Sequence, residues 1–491
     1  MEFESVLYGA YAVTLSLLGL FGVHRLTLLA RFRWDPNVPA VVATDPPEEM
    51  PRLTVQLPVF NERTVAARLI RAAGALDYPR ERFEIQVLDD SNDETRAIVD
   101  DEVRRLVARG IDAVVIRRTD RTGFKAGALA HGMKLAKGEL FCIFDADFTP
   151  ERDFLTRLVP RFADPKVGMV QARWGHLNRE ESRLTRAESA LLDGHFVIEH
   201  KVRHESGVFF NFNGTAGIWR REAIDAAGGW EHDTLTEDLD LSYRAQLLGW
   251  KFVYLPFVVA PAEVPADIAA FKSQQHRWAK GSVQVMRKLS LRILTSREPL
   301  KVKLEALAHL TGNAGYPCVL LMALLLPFSF RLRHDMPAWI PIGVFIVSTL
   351  SVVAFYEASQ RALGRTWFQR AWDTLCAMAL GIGMSVAQTR AVVEGLVLGT
   401  GVFERTPKSG DSPRRKRYAS VMKGLPGVEL VFAAWIAWGM YQAVRFQMWA
   451  SLPFLFLFFA SFAWVGTLSA AGVLRPLFKD SDATQSAEVP T

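Results

Sequence analysis

The spacing of apolar and polar residues changes from one part of the chain to the next. Residues 6–23, VLYGAYAVTLSLLGLFGV, carry no charge and are about long enough to cross a bilayer core of roughly 30 Å. His24, Arg25, Arg31 and Arg33 follow, and the positive-inside rule places them in the cytoplasm. A signal peptide carries its positive residues before the apolar run and a small-residue cleavage site after it. Here the order is reversed, so residues 1–35 are expected to form an uncleaved anchor with its N-terminus outside.

A polar, proline-rich connector spans 36–52. Beyond it, short apolar runs such as 53–59 and 85–88 end in acidic or polar residues, as buried parallel strands do. Helix-like stretches at 62–75 and 93–109 lie between such runs. This alternation predicts an α/β domain over 50–285, a mostly parallel sheet with helices on both faces. Ligands of such sheets bind at the carboxyl ends of the strands.

After residue 304 long apolar runs return. Residues 306–330, 338–356, 428–444 and 450–474 each suit a span, whereas 375–399 contains Gln388, Arg390 and Glu394. The basic stretch Arg414, Arg415, Lys416 and Arg417 belongs in the cytoplasm, so 375–399 must cross an even number of times or not at all. It reads as an interfacial amphipathic helix. The expected plan has about five spans of roughly 20 residues each. After the anchor come an interfacial connector (286–303), a helix pair (304–358), an interfacial helix with a basic loop (359–427) and a second pair (428–474). The tail, 475–491, is expected to be disordered.

Composition agrees with this division. Over 491 residues the chain is 50% hydrophobic and 22% charged, with a mean hydropathy of +0.10. Disorder requires low hydrophobicity and high net charge, and a purely soluble protein would seldom average so high. Three widely spaced cysteines, Cys142, Cys318 and Cys376, exclude a disulfide framework and any zinc-ligand spacing. The net charge of +6 gives no reason to expect a nucleic-acid partner.

Five short clusters carry candidate chemistry. Asp89 and Asp90 close the run VLDDS, and Asp145 and Asp147 close FCIFDAD. Residues i and i+2 of a strand share a face, so the second pair can converge on one hard divalent ion, which prefers oxygen ligands. A single strand ending in polar turn residues would be unremarkable; two such ends in one sheet are less so. Thr236, Glu237 and Asp238 form a TED ahead of a helical pattern. That is ordinary capping chemistry, yet a carboxylate there suits a general base. Gln274, Arg277 and Trp278 form a QxxRW, pairing a planar fork of donors for phosphate oxygens with a flat ring for a sugar. Alone it would pass for an interfacial anchor with a snorkelling arginine. Lys125, in GFKAG, is a further cation for phosphate. Residues 403–408, FERTPK, read alone as a basic loop beside a membrane.

The order DD, DxD, TED, QxxRW, set between one N-terminal span and several C-terminal ones, resembles the membrane-embedded family 2 glycosyltransferases. These are the cellulose, chitin and hyaluronan synthases. The likeness is strongest over about 50–290 and is closest to the cellulose-synthase-like A mannan and glucomannan synthases of plants. It is carried by QLPVFNER (56–63), QVLDDSND (86–93), GFKAGAL (123–129), FDADFTPERDFL (144–155), VQARWGHLN (170–178), FNGTAGIWRREAIDAAGGW (212–230) and QQHRW (274–278). The resemblance implies a GT-A-type fold and an inverting, metal-dependent transfer of a hexose from UDP-glucose or GDP-mannose.

Carried over residue by residue, Asp89 would meet the base or ribose of the donor, with Asp90 and Lys125 beside it. Asp145 and Asp147 would hold the diphosphate through Mg2+ or Mn2+, with Asp147 the direct ligand. Asp238, flanked by Thr236 and Glu237, would be the base. Arg277 would bind the diphosphate, and Gln274 and Trp278 the acceptor. Residues 403–408 resemble the FxVTxK gating loop of cellulose synthases, with Arg405 where that pattern has valine.

The expected partners are a nucleotide sugar, a glycan or lipid acceptor and the bilayer. The expected location is the plasma (inner) membrane, multi-pass, with the catalytic domain in the cytoplasm. Processive extension of a β-linked polysaccharide is the leading expectation, and transfer of one sugar to a membrane lipid is the alternative. A transporter with a regulatory soluble domain, suggested by Arg390 and Glu394 in an apolar stretch, would have no need of a base, a carboxylate pair and an acceptor motif together.

Overall fold

The computed structural model describes residues 2–35, 49–328, 339–397 and 427–485. Its α/β part is a seven-stranded sheet made of β1 (Leu53–Val59), β2 (Phe83–Asp89), β3 (Asp112–Ile116), β4 (Leu140–Ile143), β5 (Val167–His176), β6 (Gly217–Arg220) and β7 (Lys251–Ala262). The spatial order is β3-β2-β1-β4-β6-β5-β7. Only β6 runs against its neighbours, β4 and β5; the other pairings are parallel. The sheet is thus mostly parallel, as its alternating pattern predicts, and the carboxyl ends of all strands but β6 meet along one edge.

Period-2 alternation explains both faces. Leu53, Val55, Leu57 and Val59 of β1 join Phe83, Ile85 and Val87 of β2 on one side, under Val99, Val103 and Leu106 of the helix Thr95–Ala108. On the other side, Phe141 and Ile143 of β4 and Trp219 of β6 pack under Leu129 and Met133 of the helix Phe124–Leu135 and Leu241 of the helix Glu237–Leu247.

That second face carries a polar seam. Thr54 and Gln56 of β1 and Glu84 and Gln86 of β2 are all buried, and buried polar groups need partners. Thr54 Oγ1 donates to Glu84 Oε1 at 2.5 Å, and Gln56 Nε2 to Gln86 Oε1 at 3.0 Å. The helix Phe124–Leu135 rests directly on this seam at Gly132. A Cβ there would stand 2.7 Å from Gln56 Nε2 and 2.7 Å from Leu88 Cδ2, so only glycine permits the approach that sets the position of Lys125. Gly132→Val should therefore cost about 1–3 kcal/mol by overpacking. A thermal melt of the purified variant within a degree of the parent would refute that reading.

The remaining helices form the apolar part. Among the described residues, two helices are long and apolar enough to cross a membrane, Ser5–Arg31 and Trp449–Gly472. The number rises to four at most if each bent pair counts as one span, so about five is not matched. The run 306–330 is not one helix, because Leu300–Leu310 and Gly312–Phe328 meet at 50°. The helix Val428–Arg445 carries Glu429 and Arg445 at its ends and is not among the candidates.

The stretch expected as one interfacial helix is likewise two, Trp367–Gly383 and Ser385–Val397, bent by 51°. Gly383 lies against the last helix, where a Cβ would be 2.4 Å from Val465 Cγ2. That last helix, Leu452–Gln485, continues through part of the tail expected to lack structure, since extending a formed helix needs no new nucleus. Residues 403–408 and 414–417 lie outside the described residues.

Buried polar contacts join the two parts. Asp373, on the helix Trp367–Gly383, is fully buried and accepts from Arg179 and from Arg186 Nη2, the latter at 2.9 Å. Gln360 Nε2 donates to Asp193 Oδ2 at 2.9 Å. Lys272 Nζ lies 2.5 Å from Glu429 Oε1.

Candidate active site

The site is assembled where the strands end. At the ends of β1 and β2, Asn61 and Asn92 exchange hydrogen bonds of 2.9 and 3.0 Å, which closes this side of the edge. The guanidinium of Arg121 lies 3.3 Å from the centroid of the Phe60 ring. Asp90 lines the cleft beside them and accepts from Arg118. Asp89 does not. Its side chain is fully buried, and it accepts from Arg117 Nε at 2.9 Å and from the Ser91 backbone N–H at 3.0 Å. The expected contact of Asp89 with a base or ribose therefore has no surface to act through. Arg117, arriving just after β3, turns this carboxylate into a structural anchor.

At the end of β4, Asp145 and Asp147 both line the cleft. Lys125 Nζ stands 2.5 Å from Asp145 Oδ1 and donates to the Gly214 carbonyl at 2.9 Å. Burial works against the charge on Lys125, but Asp145, Glu237 and Asp238 outweigh it and raise its pKa. Asp147 is buried, with Arg68 near its backbone carbonyl and Glu263 paired to Arg68 at 2.6 Å. The two aspartates offer hard oxygen donors two positions apart at one strand end, a set that fits Mg2+ or Mn2+.

Across the cleft, Glu237 and Asp238 begin the helix Glu237–Leu247, where the helix dipole favours negative charge. Thr236 makes no capping hydrogen bond, and within the first turn Asp238 Oδ1 accepts from Leu239 N at 2.8 Å. Burial, and then the neighbouring Glu237, push the Asp238 carboxyl up to about 7. Two glycines give this turn its room. Gly214 has φ +79, and a Cβ on it would lie 2.9 Å from Asp238 Oδ2. A Cβ at Gly281 would lie 2.5 Å from Thr236 Cγ2.

Gly281 belongs to the helix Ile268–Thr295, capped by Asp267, whose side chain accepts from Ala270 N at 2.9 Å. Gln274, Arg277 and Trp278 sit at i, i+3 and i+4 and so share a face, and all three line the cleft. Trp278 lies 6.4 Å from Trp174, which in turn packs against Phe148. The structure thus brings together Asp90, Lys125, Asp145, Asp147, Thr236, Glu237, Asp238, Gln274, Arg277 and Trp278, and leaves out Asp89. Trp174, Asn213 and Glu263 also line the cleft, and sequence reasoning did not single them out. Trp174 lay within the match VQARWGHLN, at the polar end of an apolar strand. A separate acidic group, Glu231, Asp233 and Asp240, is already met by Lys288 at 2.5, 2.8 and 3.0 Å.

Residues 51–281 match the family model described as glycosyltransferase like family 2. Glucomannan 4-beta-mannosyltransferase 9 of Arabidopsis thaliana is 35% identical over 417 residues, spanning 81% of this chain and 74% of the relative. The chain belongs to glycosyltransferase family 2.

Within family 2 the resemblance to the cellulose-synthase-like A enzymes is borne out. A probable glucomannan 4-beta-mannosyltransferase 9 of Oryza sativa is 33% identical over 477 residues, with 89% of this chain and 87% of the relative covered. The fold also matches the solved structure of a mannosyltransferase from Pyrobaculum calidifontis in complex with GDP-Man and Mn2+. That match has a TM-score of 0.54 at 23% identity and covers 80% of this chain and 99% of the other. Membership makes the chain a hexosyltransferase.

In this family 2 enzyme the cleft continues into a second cavity of ≈ 920 Å³ between the apolar helices. Trp174, Asn213, Asp238, Gln274 and Trp278 line both spaces. Beyond them the wall becomes aromatic, with Tyr11, Phe21, Tyr316 and Phe458.

Proposed function

We propose that the chain transfers mannose from GDP-mannose to the growing end of a β-linked glucomannan-type polysaccharide, with inversion. The enzyme extends the chain processively and passes it into the helix-lined cavity. The observation that carries this reading is the continuity of the cleft with that cavity across Asp238 and Trp278. The relatives named as glucomannan mannosyltransferases support the sugar. In the cell the protein is a multi-pass plasma-membrane enzyme with a cytoplasmic catalytic domain.

The acceptor hydroxyl attacks the anomeric carbon on the face opposite the diphosphate. Asp238 takes its proton. Its raised pKa suits a base. Arg277 and Lys125 hold the diphosphate as negative charge builds on it. Asp145 and Asp147 would hold Mg2+ or Mn2+, which when bound neutralises charge on the leaving diphosphate. Trp278 and Gln274 hold the acceptor, Asp90 faces the nucleoside, and Thr236 and Glu237 frame the base.

Thermal-shift titration of the purified chain with GDP-mannose, and separately UDP-glucose, each with Mn2+ or Mg2+, tests the donor. GDP-mannose at 100 times its dissociation constant should stabilise the fold by about 2.7 kcal/mol, and UDP-glucose much less. The reverse order would overturn the assignment of sugar and nucleotide. Radiolabelled donor should appear in insoluble polymer; label confined to a chloroform-soluble product would instead establish transfer to a lipid.

A further inference from the structure

The helix Trp367–Gly383 has two unlike faces. Asp373, Thr374, Cys376, Ala377 and Leu380 are buried, against the helix Arg183–Asp193 of the catalytic domain and the last helix. The opposite face consists of Trp367, Phe368, Ala371, Trp372 and Leu375, and all five are exposed. Phe368, Trp372 and Leu375 sit at i, i+4 and i+7, so they follow one line along the helix. Trp367 and Phe368 leave 72% and 67% of their surface uncovered. In water the outer face of a helix is charged or polar; this one carries no charge. The helix Trp339–Ala362 and the last helix, which pack beside it, are apolar as well.

Basic side chains gather at the first turn of this face. Arg361, in the last turn of the helix Trp339–Ala362, is exposed, and Arg365 comes two positions before Trp367. Arg183, at the start of its own helix, is exposed too and holds its guanidinium 5.7 Å from the centroid of the Trp372 ring. Arg370 is met by Glu357 at 3.0 Å. Among the described residues no carboxylate pairs with Arg183, Arg361 or Arg365. A large exposed apolar patch marks a surface that something covers. Here the covering group must be apolar along the face and anionic beside its first turn. Tryptophan rings settle at the headgroup level of a bilayer, and guanidinium forks match phosphate oxygens.

We infer that the first turn of the helix Trp367–Gly383 is a binding site for an anionic phospholipid. Its phosphate meets Arg183, Arg361 and Arg365, and its acyl chains cover Trp367, Phe368, Trp372 and Leu375. The inference rests on the membrane placement proposed above and is independent of which sugar is moved. A zwitterionic lipid brings a cation of its own and suits three unpaired arginines less well. Asp373, on the other side of the same helix, accepts from Arg179 and Arg186 of the catalytic domain. The lipid therefore seats the helix to which that domain is tied, and the charge of the bilayer helps to hold the domain over the membrane.

The test titrates the full chain, in a neutral detergent, with dioleoylphosphatidylglycerol, dioleoylphosphatidylcholine and glycerol 3-phosphate, and reads the first molecule bound by native mass spectrometry. An arginine near an anionic lipid surface is worth about 5-fold in affinity, so phosphatidylglycerol should bind on the order of 100-fold tighter than phosphatidylcholine. Arg183→Gln combined with Arg361→Gln should cost about 25-fold for phosphatidylglycerol and leave phosphatidylcholine unchanged. Trp367→Ser combined with Phe368→Ser should weaken both lipids alike. All four positions are exposed, so the lipid-free variants should melt with the parent; if they do not, the comparison of the two lipids on the wild-type chain still decides. Equal affinity of the wild type for both lipids, or full phosphatidylglycerol affinity in the arginine variant, overturns the inference. So does glycerol 3-phosphate binding as tightly as phosphatidylglycerol, which would make this a site for free phosphate. A dimer that the Trp367→Ser, Phe368→Ser variant dissolves and phosphatidylglycerol does not would make the face a contact between copies and overturn it too. A chain that prefers phosphatidylglycerol yet transfers no sugar overturns the functional reading alone, and one that transfers mannose without the preference overturns this inference alone.

Discussion

Asp238→Asn is expected to lower the rate of transfer by on the order of 10²–10⁴ while leaving nucleotide-sugar affinity nearly unchanged. The substitution keeps the shape of the side chain and removes only its capacity to take a proton. With a carboxyl pushed up to about 7 by burial and Glu237, wild-type kcat/KM should fall as pH drops through about 7, because the base must be ionised to act. That limb of the profile should vanish in the variant. Stability should move the other way. A carboxyl whose folded pKa lies above its unfolded value of about 3.9 stabilises the fold below that value, and this stabilisation is lost as pH rises through about 7. Asparagine is neutral throughout, so Asp238→Asn should melt higher than wild type at pH 8 and nearly level with it at pH 4. Full activity in the variant would remove Asp238 from the mechanism, whatever its stability.

A comparably large effect should come from a residue that touches no substrate. Asp373 is fully buried and accepts from both Arg179 and Arg186, tying the catalytic domain to the helix Trp367–Gly383. Asp373→Ala leaves the buried Arg179 and the part-buried Arg186 with only the exposed Glu180 as counter-charge, a change that costs up to about 3–5 kcal/mol. Thermal unfolding followed by fluorescence should show a clear drop in midpoint. Combining Asp373→Leu with Arg179→Met and Arg186→Met removes the charges together, and should recover most of the lost stability because well-packed apolar replacements of buried ion pairs are often neutral. If Asp373→Ala melted like wild type, the interface would have to admit water that the burial does not suggest.

Much of this architecture was legible in the sequence because its causes are local. Short apolar runs ending in acidic or polar residues placed β1, β2 and β4 and brought Asp90, Asp145 and Asp147 to one edge. The i, i+3, i+4 spacing of Gln274, Arg277 and Trp278 placed them on one face. The failures have non-local causes. Which of two adjacent aspartates faces the cleft is decided by Arg117, arriving from another strand. The bend at Met384 places Gly383 against Val465, some eighty positions further along the chain. Asn213 was one residue of a quoted match, and nothing local marks it out. Only the folded turn Gly194–His200 brings His195 against it.

Gly214 and Gly281 give the site a footprint larger than its chemistry. Neither carries a side chain that could act on a substrate, yet any substitution at either puts an atom within 2.9 Å of Asp238 or Thr236. Random mutagenesis scored by lost product would return both positions alongside the carboxylates and the arginine. A reader of that screen, seeing only a list of intolerant codons, would count more catalytic residues than the enzyme has.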